Sequence, residues 1–232
     1  MRLDRWIGNS TALSRLDVRR AVKNNRVCVN GLPVKKFDVQ ISESDTVTLD
    51  GQSILAPQPR YFMLHKPAGF VCANTDGEYP TVLDLLCEQN KNTLQIAGRL
   101  DVDTTGLVLL TDDGAWNHRV TAPSRKCEKS YRVVLQESLG AEAEKQLQEG
   151  IVLRGETQVT QPAKLVFTDV ERRCLLLTIS EGKYHQVKRM FAATGNHVLT
   201  LHREKIGIIV LDENLAAGTY RPLTAVEIKG FC

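Results

Sequence analysis

The stretch Gly98-Arg99-Leu100-Asp101-Val102-Asp103-Thr104-Thr105-Gly106 holds two carboxylates, a guanidinium and adjacent hydroxyls, and runs directly into the apolar segment Leu107 to Leu110. Polar loops held by a rigid strand are common carriers of catalytic groups. A carboxylate there can serve as nucleophile, acid or base. The same residue types equally suit a turn or a helix cap, because Asp and Thr side chains satisfy nearby backbone donors. Other chemistries find less in the chain. Neither a phosphate-binding P-loop pattern nor G-x-G-x-x-G occurs, so no nucleotide-cofactor loop is indicated. The five histidines, at 65, 118, 185, 197 and 202, do not cluster with acids in the manner of metal ligands. His197 and His202 fall in one expected strand, where a spacing of five puts them on opposite faces. No G-x-S-x-G elbow supports a serine nucleophile. Chemistry is therefore expected to rest on carboxylates and bases, with no metal and no cofactor.

Such residues need a scaffold. From Arg60 onward, β-type segments occur at Tyr61 to Leu64, Leu107 to Thr111, Tyr131 to Leu135, Leu175 to Ile179 and Ile206 to Leu211. Helical periodicity marks Thr81 to Glu88, Ala141 to Glu149 and Tyr184 to Thr194, with Gly150 and Gly195 where helix-ending glycines belong. Strands in runs with interspersed helices predict an α+β fold on a mainly antiparallel, mixed sheet.

Upstream, Ala56-Pro57-Gln58-Pro59 breaks the pattern and divides the chain into a small domain with its linker, 1–57, and a larger one, 58–232. The small part has two short helical patterns, Met1 to Asn9 and Leu13 to Asn24, the first with Leu3, Trp6 and Ile7 and the second with Leu16, Val18, Ala21 and Val22 at helical spacing. Ser14 is placed to cap the second, and Arg15, Arg19, Lys23 and Arg26 then form a basic stripe on about one face. Asn30-Gly31 is a strong hairpin signal, and Asp45 to Gly51 reads as a later strand. Residues 1–36 carry nine basic residues against Asp4 and Asp17, a balance of +7 that leaves −4 for the rest of a chain whose total is +3. A basic segment on a mildly acidic body suits a polyanion-binding module.

The composition, 42% hydrophobic and 25% charged over 232 residues, is that of a soluble globular protein. Aliphatic runs fall far short of the roughly 20 residues that span a bilayer, and Asp4 and Arg5 interrupt any secretory signal. The cytoplasm is the expected compartment. The six cysteines contain no C-x-x-C element and are expected to be reduced thiols, mostly buried.

Two resemblances give these patterns a meaning. MRLDRWI, SRLDVRRAVKNNRVCVNG and DTVTLDG closely resemble the S4 RNA-binding domain, which implies that the basic residues Arg2, Arg5, Arg15, Arg19, Arg20, Lys23 and Arg26 face RNA. The string G-R-L-D-x-x-T-x-G-L resembles the catalytic loop of the pseudouridine synthases. It is flanked in the family's order by Tyr61-Phe-Met-Leu-His-Lys66-Pro67-Ala-Gly69, Glu128-Lys129-Ser130-Tyr131 and Ser180-Glu-Gly182-Lys-Tyr-His-Gln186-Val-Lys188-Arg189-Met190. The match runs through nearly the whole chain and is most similar to the branch that carries an S4 domain and modifies ribosomal RNA, in detail to members acting on one uridine of small-subunit 16S rRNA.

The resemblance implies a catalytic carboxylate at Asp101, a cation at Lys188 that keeps it ionised, and an active-site ring at Tyr131 that stacks on a flipped uracil. Related synthases commonly have Arg where Lys188 stands, which makes Arg189 an alternative partner, although consecutive helical residues diverge by about 100°. Arg99 is implied to hold the RNA backbone or to fill the gap left by the base. Ile206 is placed as an apolar wall of the uracil pocket. Core packing explains Ile206 equally well and is the alternative role of Tyr131. The expected partner is 16S rRNA or a small-subunit assembly intermediate, met by a monomeric chain. A non-catalytic ribosome-assembly protein is the competing reading.

Overall fold

The computed structural model describes residues 1–11, 13–42 and 44–231. The chain forms two compact units, one of Met1–Pro59 with Cys87–Thr93 and one of Arg60–Leu86 with Leu94–Cys232. Sequence reading put 87–93 in the larger domain. The segment packs with the first unit because the Asn90 side-chain amide donates to the carbonyls of Gly8 and Thr11, at 2.9 and 2.7 Å.

In the first unit, α1 (Leu3–Ser10) and α2 (Arg15–Lys23) precede a sheet of β1 (Val27–Val29), β2 (Leu32–Pro33), β3 (Val47–Leu49) and β4 (Gln52–Ile54), ordered β2-β1-β3-β4 and antiparallel throughout. The Ser14 hydroxyl caps α2 by accepting from the Asp17 amide. Leu3, Trp6, Ile7, Val18, Ala21, Val22, Val27, Ile41 and Val47 form the core. Leu16, expected on the apolar face, is 56% exposed; it lies two residues before Val18, about 200° around the helix. Both hairpins turn on a residue pair with positive φ, Asn30-Gly31 (51° and 79°) and Asp50-Gly51 (52° and 79°), the geometry that two-residue loops between right-twisted strands require.

The second unit contains β5 (Tyr61–Lys66), β6 (Gln95–Ala97), β7 (Thr105–Thr111), α3 (Gly114–Thr121), β8 (Lys129–Leu135), α4 (Ala141–Glu149), β9 (Lys164–Phe167), β10 (Cys174–Ile179), α5 (Gln186–Ala193), β11 (Val198–Ile206), β12 (Ile209–Val210), β13 (Tyr220–Pro222) and α6 (Ala225–Lys229). Its sheet runs β13-β5-β7-β11-β8-β10-β9, with β6 added to β7 and β12 to β11. All pairs among the described residues are antiparallel except β7 with β11. The fold is α+β on a mainly antiparallel, mixed sheet. Along β7, Val108 and Leu110 enter one core with Leu64, Tyr131 and Phe191, while Leu107 and Leu109 enter a second with Met63, Trp116 and Ile206. The central strand is thus buried on both faces, which is why it reads as a continuous aliphatic run. No helix among the described residues is long and apolar enough to cross a membrane.

Several sequence expectations need correction. Thr81 to Glu88 is not a helix but a series of turns. The Asp84 carboxylate accepts from both the amide and the hydroxyl of Thr81 at 2.8 and 2.9 Å and closes the first of these turns. Ile206 to Leu211 is a hairpin, because Gly207 (φ 55°) reverses the chain and pairs Lys205 with Val210 and Ile206 with Ile209. His197 precedes β11 rather than lying in it. Among the described cysteines only Cys72 is buried, Cys28, Cys127 and Cys174 are partly so and Cys87 is exposed; Cys232 lies outside the described residues.

The C-terminal helix closes the second core through the Trp116 indole, which donates to the Ile228 carbonyl at 3.0 Å. Thr224 and Glu227 form a reciprocal capping box, and Arg221 adds two hydrogen bonds to the Glu227 carboxylate at 3.0 and 2.9 Å. Arg221 chiefly, with the Thr224 donors and against partial burial, holds the Glu227 carboxyl down at about 2. A carboxyl depressed in the folded state contributes stability that is present above its unfolded value and lost as pH falls through its folded one. Glu227→Gln is therefore expected to lower unfolding free energy by about 1 to 2 kcal/mol at neutral pH, allowing for solvent screening. Urea titrations should show that gap closing between about pH 4.5 and 2.

Candidate active site

The loop between β6 and β7 carries Asp101, and its path is set by two glycines and two buried cations. Gly98 and Gly106 have φ of 92° and 108°. At Gly106 the parallel pairing with Arg203 brings the strands so close that a Cβ would lie 2.2 Å from the Arg203 carbonyl oxygen, so no other residue fits. Within the loop, the Thr104 amide donates to the Asp101 carbonyl at 3.1 Å and forms a tight turn.

Lys66, fully buried at the end of β5, donates from Nζ to the carbonyls of Thr104, Pro67 and Val102 at 2.7, 3.1 and 3.2 Å. Burial pulls its pKa below the ordinary lysine value, opposed by Cys72 and by the nearby Asp103 and Asp101. Arg203, 2% exposed, donates from Nε to the Leu107 carbonyl at 2.8 Å, from Nη2 to Gly98 at 2.7 Å and from Nη1 to Arg99 at 3.3 Å. The Leu100 amide points to the buried Cys72 Sγ at 3.3 Å. Neither buried cation makes an ion pair among the described residues. Their donors go to backbone carbonyls, so their work is to fix the loop's path.

Asp101 keeps about a quarter of its side chain exposed and is gripped from α5 on both oxygens. His185 Nε2 lies 3.2 Å from Oδ1 and Lys188 Nζ lies 3.4 Å from Oδ2. Lys188 also meets Asp103 at 2.6 and 2.8 Å. For Asp103, burial raises the carboxyl, but the hydrogen bond and charge of Lys188 outweigh it and hold the pKa below the usual value. His185 is the N-cap of α5 and Lys188 its third residue. Residues three apart share a helix face, while Val187, Met190 and Phe191 turn into the core. Asp101 is partly open to solvent, and Lys188 is shared with Asp103, its nearer partner.

Of the two candidate cations only Lys188 reaches Asp101. Arg189, one residue on, is carried around the helix to Glu156, 2.9 Å away, and donates to the carbonyls of Tyr184 and Arg154. In this arrangement Arg189, the alternative partner, is turned toward Glu156 and away from Asp101. Tyr131 on β8 lies opposite Arg203 in register and is 8% exposed, its ring centroid 5.9 Å from the guanidinium carbon. It belongs to the core that α5 covers. Ile206 is fully buried in the other core with Met63, Leu107 and Trp116. A register shift between Arg203 and Lys205 sets Ile206 opposite Lys129 on β8, and its packing in this cluster is the core role that was its alternative reading. Arg99 directs its side chain to the surface while its carbonyl anchors Arg203.

In the first unit Arg5, Arg15, Arg19, Arg20 and Lys23 are exposed. Arg20 approaches Asp17 at 3.4 Å, and Arg19 lies over the Phe37 ring at 4.5 Å. Arg26 lies beyond the end of α2 and so leaves the stripe: its Nε donates to Asp50 at 2.7 Å, as Arg2 pairs with Asp4 at 2.8 Å. No grouping of three His, Cys, Asp or Glu suited to a metal occurs among the described residues. Sequence reasoning passed over Lys66, Cys72, His185 and Arg203. Lys66 and His185 lay inside quoted motifs, while Arg203 stands in the polar run His202-Arg203-Glu204-Lys205, where nothing separates it from a surface charge.

Comparison with known proteins fits this geometry. Residues 60–193 match the family model described as RNA pseudouridylate synthase. The chain is 50% identical over 230 residues to "Ribosomal small subunit pseudouridine synthase A" of Salmonella typhimurium, covering 98% of both chains. It is 50% identical to the Haemophilus influenzae protein of the same name, covering 99% of this chain and 98% of that one, and 49% identical to that of Escherichia coli, covering 98% of both. A solved structure titled "Crystal structure of pseudouridylate synthase" superposes with a TM-score of 0.72 at 48% identity, covering the whole of both chains.

Proposed function

This chain belongs to the RNA pseudouridylate synthase family, and from that premise we propose that it isomerises one uridine of small-subunit 16S rRNA with Asp101 as the reacting carboxylate. A pseudouridine synthase is an isomerase: the bond from N1 to C1′ breaks, the uracil turns, C5 joins C1′, a proton leaves C5 and one is taken up at N1. Atoms balance within the nucleotide, so the chemistry asks for a carboxylate, a way to hold the base and a proton acceptor. The observation that carries the reading is the grip on Asp101, both oxygens held from one helix face while a quarter of the side chain stays open.

The other roles follow from position. Lys188 sets a positive charge beside Asp101, which serves for attack on sugar or base or for removal of a sugar proton. Tyr131 offers a ring to the extruded uracil, and Arg99, free at the surface beside Asp101, meets the RNA backbone or fills the vacated stack. The exposed Arg5, Arg15, Arg19, Arg20 and Lys23 support an S4-like, phosphate-facing role for the first unit, with Arg2 and Arg26 partly neutralised by their aspartates.

The test uses 16S rRNA, free or in a partly assembled small subunit, carrying 5-tritiated uridine. Release of tritium at a single position is expected; release from neither substrate would leave RNA binding without catalysis. A paired comparison checks the cation. Lys188→Ala is expected to lower the single-turnover rate at least about a hundredfold, since an uncompensated charge pair near a reacting carboxylate costs roughly 3 kcal/mol. Arg189→Ala, which loses a contact to Glu156 away from Asp101, should cost less than about tenfold in rate.

A further inference from the structure

We propose that His185 is a positioning residue for the reaction, fixing the orientation of the Asp101 carboxylate; the inference rests on the reading of Asp101 as the reacting group. Three observations carry it. First, a carboxylate held at one oxygen can still rotate, and Lys188 touches only Oδ2 at 3.4 Å while binding Asp103 more closely. His185 Nε2, 3.2 Å from Oδ1, supplies the second point that fixes the plane.

Second, the imidazole is itself held. It stacks on the Tyr184 ring with centroids 3.8 Å apart and planes 20° from parallel. Tyr184 is 74% exposed, so this stacking serves no core.

Third, His185 occupies left-handed backbone space, φ 46° and ψ 35°, at the N-cap of α5, without a capping hydrogen bond from its side chain. A residue with a Cβ is disfavoured there and glycine is not. On stability alone glycine suits this position better, so the reason for an imidazole lies in what its ring touches. Strain of this kind concentrates at functional sites. The charged groups around the ring are Asp101, Asp103 and Lys188, with the Tyr184 ring on its flank.

The backbone argument makes the test sharp, because a structural role and a positioning role predict opposite results for glycine. In the full-length protein His185→Gly is expected to unfold at the same or a higher temperature than wild type. It should bind rRNA within about threefold, since no phosphate contact is removed. It should convert 5-tritiated uridine at least about tenfold more slowly in single turnover at saturating protein, because the carboxylate loses its second point of orientation. His185→Gln, whose amide nitrogen reaches as far as Nε2, should stay within about threefold of wild type. A His185→Gly rate equal to wild type, a defect that vanishes at saturating protein, or a glutamine variant no better than glycine would each overturn the inference. A wild-type protein that releases no tritium fails differently, removing the reading of Asp101 itself.

Discussion

Asp101→Asn is expected to reduce tritium release from 5-tritiated uridine rRNA by at least about a thousandfold, or about 4 kcal/mol of transition-state stabilisation, while the protein stays folded and bound to RNA. The substitution keeps the shape of the side chain and removes its charge, so nucleophilicity and basicity are lost together. The fold should tolerate it because Lys188 is not orphaned: Asp103 holds it at 2.6 Å whether or not Asp101 is ionised. Deleting one member of an isolated buried pair costs roughly 3 to 5 kcal/mol, but here the cation is shared and the carboxylate about a quarter exposed. A change in unfolding free energy below about 1 kcal/mol is the expected result. The same variant separates the two aspartates. Asp103→Asn leaves Lys188 to Asp101 alone and should lower the rate far less. Comparable losses at both positions would mean that the carboxylates act as a pair rather than with Asp101 as the reacting group.

What could be read from the sequence follows how local each determinant is. The Asn30-Gly31 turn and the Ser14 cap are specified by residues next to one another, and those expectations hold in the structure, whereas Asp50-Gly51, read as the end of a strand, makes a second hairpin turn. The identity of Lys188 over Arg189 also yields to a local rule, the 100° step of a helix, once one knows which face of α5 is buried. Thr81 to Glu88 failed although Asp84 meets the Thr81 donors as a helix start would, because the chain makes only short turns there. The supports of the site are different in kind. Arg203 stands about a hundred residues from the carbonyls it binds, and Lys66 nearly forty from Thr104. No periodicity announces that two cations will be buried under one loop. Ile206 shows the same limit, because an apolar residue on a strand can serve either face, and the register shift between Arg203 and Lys205 breaks the alternation that would assign one.

The support under the loop gives the second large effect, in which the conservative substitution is expected to be the worse one. Arg203 spans three carbonyls, Leu107, Gly98 and Arg99, from a site with 2% exposure and no carboxylate partner among the described residues. Arg203→Met keeps similar volume, strands the carbonyls of Gly98 and Arg99, and is relieved of a buried charge; unsatisfied buried acceptors cost about 1 to 3 kcal/mol each, and the relief offsets part of that. Arg203→Lys keeps the charge buried but offers one ammonium where a planar fork was needed, so it leaves carbonyls unmet without any relief. Unfolding free energies should therefore fall by roughly 2 to 4 kcal/mol for Met and at least as much for Lys. Rates measured where both variants remain folded should fall about a hundredfold, because the carbonyls released are those of the residues leading into Asp101, and a shift of about 1 Å at a reacting group has that consequence. Urea denaturation in which Lys proved clearly milder than Met would show that the positive charge itself, rather than the three-point span of the guanidinium, holds the loop.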